Sequence, residues 1–156
     1  MMLVEPKIFQ SQIIDTIFKK NVSIVEPVNI YGSNISTNVF IGPFVEIQKN
    51  TKIGENTKIQ SHSFICEQVI IGKNCFIGHG VCFINDIFSD GKPACGDKDK
   101  WKETVIGDNV SIGSNVTLLP VRICNDVVIG AGSVVTKDIK KPGTYYGNPA
   151  RKQKDL

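Results

Sequence analysis

Residues 35–83 read ISTNVF IGPFVE IQKNTK IGENTK IQSHSF ICEQVI IGKNCF IGHGVC F. Every sixth residue is apolar: Ile35, Ile41, Ile47, Ile53, Ile59, Ile65, Ile71, Ile77 and Phe83. An α-helix repeats about every 3.6 residues and a strand about every two. A period of six belongs to neither. It marks a short supersecondary unit repeated along the chain.

The position four after each aliphatic is small or β-branched: Val39, Val45, Thr51, Thr57, Ser63, Val69, Cys75 and Val81. Glycine often follows the aliphatic directly, at Gly42, Gly54, Gly72 and Gly78. Polar residues such as Asn50, Glu55, Asn56 and Asn74 lie between. This predicts one flat strand and one tight corner per hexad. The aliphatic points inward at mid-strand and the small residue points inward near the corner. Gly and Asn suit the corner because they tolerate the left-handed backbone region. Three sides close a triangular coil, and stacked coils pair strand on strand at about 4.8 Å. Ile41, Ile59 and Ile77 then form one interior column. Ile35, Ile53 and Ile71 form a second, and Ile47, Ile65 and Phe83 a third. An antiparallel sandwich would alternate with period two between turns of varied length. The pattern therefore predicts an all-β chain wound into a parallel β-helix.

The beat resumes at Ile106, Ile112, Leu118, Ile123, Ile129 and Val135. The step from Leu118 to Ile123 is one residue short, and Pro120 lies inside it. A fixed φ at Pro120 fits a tightened turn.

The 156 residues make one domain. Five cysteines without pattern predict free thiols in a reducing compartment. Cys75 falls at an interior position; Cys66, Cys82 and Cys124 fall at outward or corner positions; Cys95 lies in the gap. Neither a signal-peptide pattern nor an apolar run of about 18 residues is present, so the expectation is a cytoplasmic protein without a membrane partner. A net charge of +3 on scattered lysines makes nucleic acid a poor partner.

Function is expected where the beat breaks. Residues 1–34, with Pro6, Ile8, Phe9, Ile13, Ile14, Ile17 and Phe18, are expected to cap the open end and to form a first irregular coil. Residues 85–104 hold Gly91, Pro93, Gly96 and the sole tryptophan, Trp101. They must leave the stack as an extruded loop and return. The 138–156 tail, with Lys137 just before it, is basic through Lys140, Lys141, Arg151 and Lys152. It is either a solvated end or a phosphate site.

The register makes the breaks geometric. Residues 18 apart stack, so His79 lies above Ser61 and next to His62. Asn85 lies above Glu67, and Asp86 above Gln68. An imidazole titrates near working pH, so His79 suits proton transfer; the plain alternative is a surface corner histidine. Asn85 and Asp86 suit either substrate contact or loop initiation through side chain to backbone bonds.

The hexads, the interrupting loop and the ending Ile129-Gly-Ala-Gly-Ser-Val-Val-Thr-Lys-Asp-Ile139, then Gly147-Asn-Pro-Ala-Arg151, resemble the hexapeptide-repeat acyltransferases over about residues 20 to 153. That resemblance implies a left-handed β-helix. Phe76-Ile-Gly-His-Gly-Val-Cys-Phe-Ile-Asn-Asp86 is similar to the N-acetyltransferases of nucleotide-linked 3-amino sugars, such as a dTDP-3-amino-3,6-dideoxyhexose, made for surface polysaccharide and O-antigen. The short Leu118-Leu-Pro-Val-Arg-Ile123 corner is similar to that subgroup too. The resemblance implies acetyl-CoA as donor, a homotrimer, and active sites between subunits. It implies His79 as base or positioning group, and Asn85 as holder of the amine or the acetyl carbonyl. Asp86, Glu67, His62 and Trp101 would meet the sugar nucleotide. Ser114, Gly130 and Ala131 would face the pantetheine arm, and Lys137, Arg151 and Lys152 the CoA phosphates. Three readings compete: a metal hydrolase, for which His62 and His79 cannot supply a three-histidine site; a non-catalytic assembly protein; and an O-acetyltransferase, whose hydroxyl acceptor needs a base more strongly.

Overall fold

The computed structural model describes residues 10–155. The expected cap residues Pro6, Ile8 and Phe9 lie outside them. The hexads form short strands that stack into three parallel sheets, the faces of one triangular solenoid. The first face holds seven strands, from Ile13–Ile14 through Glu46–Ile47, Phe64–Ile65 and Cys82–Phe83 to Val134–Val135. The second holds six, from Ile17–Phe18 to Arg122–Ile123. The third holds eight, from Ser23–Ile24 to Arg151–Lys154.

The predicted columns are present. Ile41 pairs with Ile59, Ile59 with Ile77, and Ile77 with Ile112 across the loop. Ile35, Ile53, Ile71 and Ile106 stack likewise. On the first face Ile47 pairs with Ile65, and Phe83 with Leu118. These side chains are buried, as are the small residues four positions on. Inward aliphatics removed from water stabilise by about 25 cal/mol per Å², which is why the hexad, not the turn, carries the fold.

Most corners place one residue at positive φ. Between the second and third faces that residue is Asn21, Asn38, Asn56, Asn74, Asn109 or Asp126, at φ 55 to 58°. Their side chains form a ladder. Each amide donates to the oxygen one coil on, at 2.9 to 3.2 Å, ending on Asp126. Asparagine both tolerates the backbone and satisfies its neighbour.

Two expectations are corrected, and the tail gains a fold. Regular coils begin at Ile13, whose strand stacks on Asn29–Tyr31, so the described part of 1–34 is coil rather than cap. The tail is solvated, with Arg151–Lys154 exposed throughout, but it is ordered. Gly143–Tyr146 extends the third face, and Arg151–Lys154 folds back on it antiparallel. Cys66 is buried, not outward. It follows Ile65 where the chain turns towards the second face, and its carbonyl accepts the Thr51 hydroxyl at 3.3 Å.

Burial pushes the Cys66 thiol from 9.0 up to about 12. Above pH 9 the unfolded chain sheds this proton while the folded chain keeps it. The contribution to stability therefore falls as pH rises from 9 towards 12. The thiolate is the reactive form, so iodoacetamide at pH 8 is expected to label exposed Cys95 first and Cys66 only on unfolding. Peptide mass spectrometry showing Cys66 alkylated in the native protein would contradict this.

Candidate active site

The corner between the third and first faces carries His79. Its positive-φ residues are Phe44, His62, Gly80, Asn115 and Gly132. Backbone bonds tie one coil to the next: Gly80 N–H donates to Ser61 O at 3.0 Å, and Asn115 N–H donates to His79 O at 2.8 Å. His79 thus stands above Ser61 and beside His62, as the register requires. Glycine flanks it for steric reasons. A Cβ on Gly78 would lie 2.7 Å from the Gly113 carbonyl carbon, and one on Gly80 would lie 2.5 Å from Asn115 Oδ1. The backbone either side of His79 is pressed against the next coil while its side chain is exposed.

Ser114, Gly130 and Ala131 lie on this same corner, in the two coils above. A Cβ on Gly113 would meet Ala131 N at 2.5 Å, and Gly130 N–H donates to Tyr145 O at 2.8 Å. At the C-terminal end Lys137, Arg151 and Lys152 share one concavity of about 300 Å³ with Asp138, Ile139 and Tyr145. Lys152 also pairs with Asp155. That contact holds the lysine above its usual pKa and the carboxyl below its own.

The remaining candidates occupy a different corner, between the first and second faces, where the loop leaves. Asn85 stacks on Glu67, donating from Nδ2 to its carbonyl at 3.4 Å. The Glu67 side chain is only 10% exposed and accepts from Lys98 Nζ at 2.7 Å. Lys98 lies 5.5 Å from the Trp101 ring centroid. Trp101 therefore packs within its own loop, against the lysine that grips Glu67. Asp86 also serves the loop. One carboxylate oxygen accepts from Phe88 N–H at 2.9 Å and the other from Ala94 N–H at 2.7 Å. Of the two readings of Asp86, the structure realises loop initiation.

The sequence reading missed Lys98, Tyr31, Glu46 and Gln48. Gln48 bridges the coils by donating to Glu46 and accepting from Glu67 N–H. Burial, then the Glu46 and Glu67 charges, raise the Tyr31 phenol. The coil register could have found Gln48 beside Glu67. Nothing in the sequence signals Lys98, which reaches Glu67 across 31 residues.

His79 and Asn85 sit at opposite edges of the first face. Six residues of near-extended chain separate them, at most roughly 20 Å. The polar residues expected beside one departing loop are thus split between two corners. The histidine corner offers an imidazole and backbone groups; the loop corner offers amide, carboxylate and ammonium. Among the described residues no three His, Cys, Asp or Glu side chains gather to hold a metal. Among them, too, no helix is long and apolar enough to cross a membrane.

Two family descriptions match the chain. Bacterial transferase hexapeptide repeats match residues 32–67 and 50–85, and the hexapeptide repeat of succinyl-transferase matches 103–137. Bifunctional protein GlmU of Acetivibrio thermocellus is 41% identical over 109 residues, covering 69% of this chain and 21% of that protein. The chain thus spans about a fifth of the length of the curated relatives it matches. Among solved structures, a mutant of AntD, an N-acyltransferase from Bacillus cereus in complex with dTDP and coenzyme A, superposes with TM-score 0.78. It is 23% identical, with 90% of this chain and 83% of that one covered, a likeness of fold alone. A maltose O-acetyltransferase from Clostridium difficile superposes with TM-score 0.63 at 25% identity, covering 92% and 70%.

Proposed function

The chain belongs to the hexapeptide-repeat transferase family, and on that premise we propose that it is an acetyl-CoA-dependent N-acetyltransferase of a nucleotide-linked amino sugar. The observation that carries this is His79, fixed between two tight glycines on the corner that also presents Ser114, Gly130 and Ala131. An amine attacks the acetyl thioester there. The new N–C bond forms, the amine's proton passes to the imidazole, and the C–S bond breaks as the imidazolium returns that proton to the departing sulfur, so that CoA leaves as the thiol. Backbone N–H groups along the corner are the donors available to the oxyanion. The basic concavity at the C-terminal end suits the CoA phosphates, with Lys137 and Arg151 as the cations. The AntD complex, which holds both dTDP and coenzyme A on this fold, supports the pairing of substrates.

The split between corners supports a homotrimer with sites between subunits. The loop corner of one copy would meet the histidine corner of the next and bring Asn85 and Glu67 to His79. Surface-polysaccharide synthesis in the cytoplasm is the setting this chemistry fits.

Thiol release from acetyl-CoA against dTDP- and UDP-linked amino sugars tests the activity. Turnover on none, with no CoA binding by calorimetry, would remove it. Mixing inactive His79→Asn and Asn85→Ala subunits tests the shared site. Random mixed trimers should regain about a quarter of wild-type sites; no recovery means both groups act within one chain.

The likeness to the maltose O-acetyltransferase favours a second reading, transfer to a sugar hydroxyl. Acetylation of hydroxyl sugars but not amino sugars in the same panel would select it.

A further inference from the structure

Phe44 occupies a corner where the other rungs place a small or polar residue. Of the positive-φ residues at the described coil corners, only Phe44 and His62 carry rings. Bulky side chains at φ near 60° are disfavoured, and such strain persists where the surroundings enforce it. Here the winding enforces it, as at the other rungs of this corner, and the two rings stack on one another. Their centroids are 4.8 Å apart and their planes 29° from parallel. Phe44 is nonetheless 57% exposed. An aromatic held off its preferred backbone and still half in water is a surface prepared for a partner.

Beside Phe44 lies a concavity of about 220 Å³. Pro27, Val28 and Asn29 line it from the coil below, with Phe44, Val45 and Glu46. Drug-sized sites run to roughly 300–1,000 Å³, so this one suits a single flat ring. Its walls combine apolar surface with the Asn29 amide and the Glu46 carboxylate, whose Oε1 also accepts from Gln48 Nε2 at 2.7 Å. That set matches a pyrimidine base: a π-face to stack, and an edge of alternating donors and acceptors for Asn29 and Glu46.

Position agrees with chemistry. Phe44 and His79 share one corner, two coils apart. At about 4.8 Å per coil the separation is about 10 Å. In a nucleoside diphosphate sugar a ribose and two phosphates separate base from hexose, a link able to cover that span. The acceptor would then run along the corner, past Ser61 and His62, with its base at the N-terminal side of His79. Ser114 and Ala131 lie on the other side, leaving that direction to CoA.

We propose that Phe44, backed by His62, is the stacking platform for the pyrimidine base of the nucleotide-linked acceptor, with Asn29 and Glu46 at the base edge. This rests on the acetyltransferase reading above. The base is that of the acceptor and not the adenine of CoA, since the concavity is small and lies on the side of His79 away from the basic C-terminal end.

The test uses calorimetry on the full-length protein with three probes: dTDP, UDP and CoA. Phe44→Asn installs the residue that this backbone conformation favours, so the variant should fold and hold its melting temperature. It is expected to weaken dTDP and UDP binding at least tenfold and to leave CoA binding unchanged. Asn29→Ala should weaken the diphosphates with the same selectivity. Unchanged dTDP and UDP affinity in Phe44→Asn overturns the platform while leaving the activity standing, provided wild type still releases CoA on amino-sugar substrates. Weakened CoA binding in the same variant assigns the rings to the adenine and overturns it as well. Wild type that binds none of the three probes removes both this inference and the activity beneath it.

Discussion

Replacing His79 with asparagine is expected to lower kcat by at least a hundredfold with little change in KM for either substrate. Positioned proton transfer contributes about 10²–10⁴-fold. Of the two imidazoles on this corner, His62 is stacked on Phe44, which leaves His79 to take the proton of the tetrahedral intermediate. Asparagine keeps a polar group at the site but accepts no proton at working pH. The substitution falls on an exposed side chain whose backbone is held by Gly78 and Gly80, so stability should move by no more than about 0.5 kcal/mol. Steady-state kinetics and thermal unfolding on one preparation separate the two effects. A kcat within twofold of wild type would make His79 a surface corner histidine and the transfer base-free.

Phe83→Ala is expected to be the most damaging single truncation of the stack. Phe83 is fully buried, ends the unbroken run of hexads, and pairs with Leu118 across the loop. Removing a buried phenylalanine costs about 3–5 kcal/mol, against a total of about 5–15 kcal/mol for a folded domain. In a solenoid each coil is supported only by its neighbours. A void at this level therefore separates the coils before the loop from those after it. Urea unfolding followed by circular dichroism should show either a large drop in midpoint or a broadened transition as the halves uncouple. A loss below about 1 kcal/mol would mean that the coils repack around the gap.

The interior of this protein was legible because it depends on local chemistry repeated at a fixed interval. Ile41, Ile59 and Ile77 could be stacked from the sequence alone, since a strand of fixed rise and a corner of fixed length leave only one register. The same arithmetic placed His79 over Ser61 and Asn85 over Glu67. The same count sets Asn85 one corner on from His79, because six residues make one side of the coil. The buried state of Cys66 and the grip of Lys98 on Glu67 were illegible. The grip of Lys98 depends on how an aperiodic segment packs back on the solenoid, where no repeat constrains it.

From its letters alone the chain dictated three-sided coils, their spacing and the residues that fill them, because six-residue periodicity and the sterics of left-handed corners admit no other winding. Only the folded molecule decided which exposed groups meet. It tied Asp86 into its own loop, closed Lys98 on Glu67, and gathered Lys137 with Arg151 and Lys152. Those contacts join parts of the surface that no periodic rule relates, and their energies are set by packing in three dimensions.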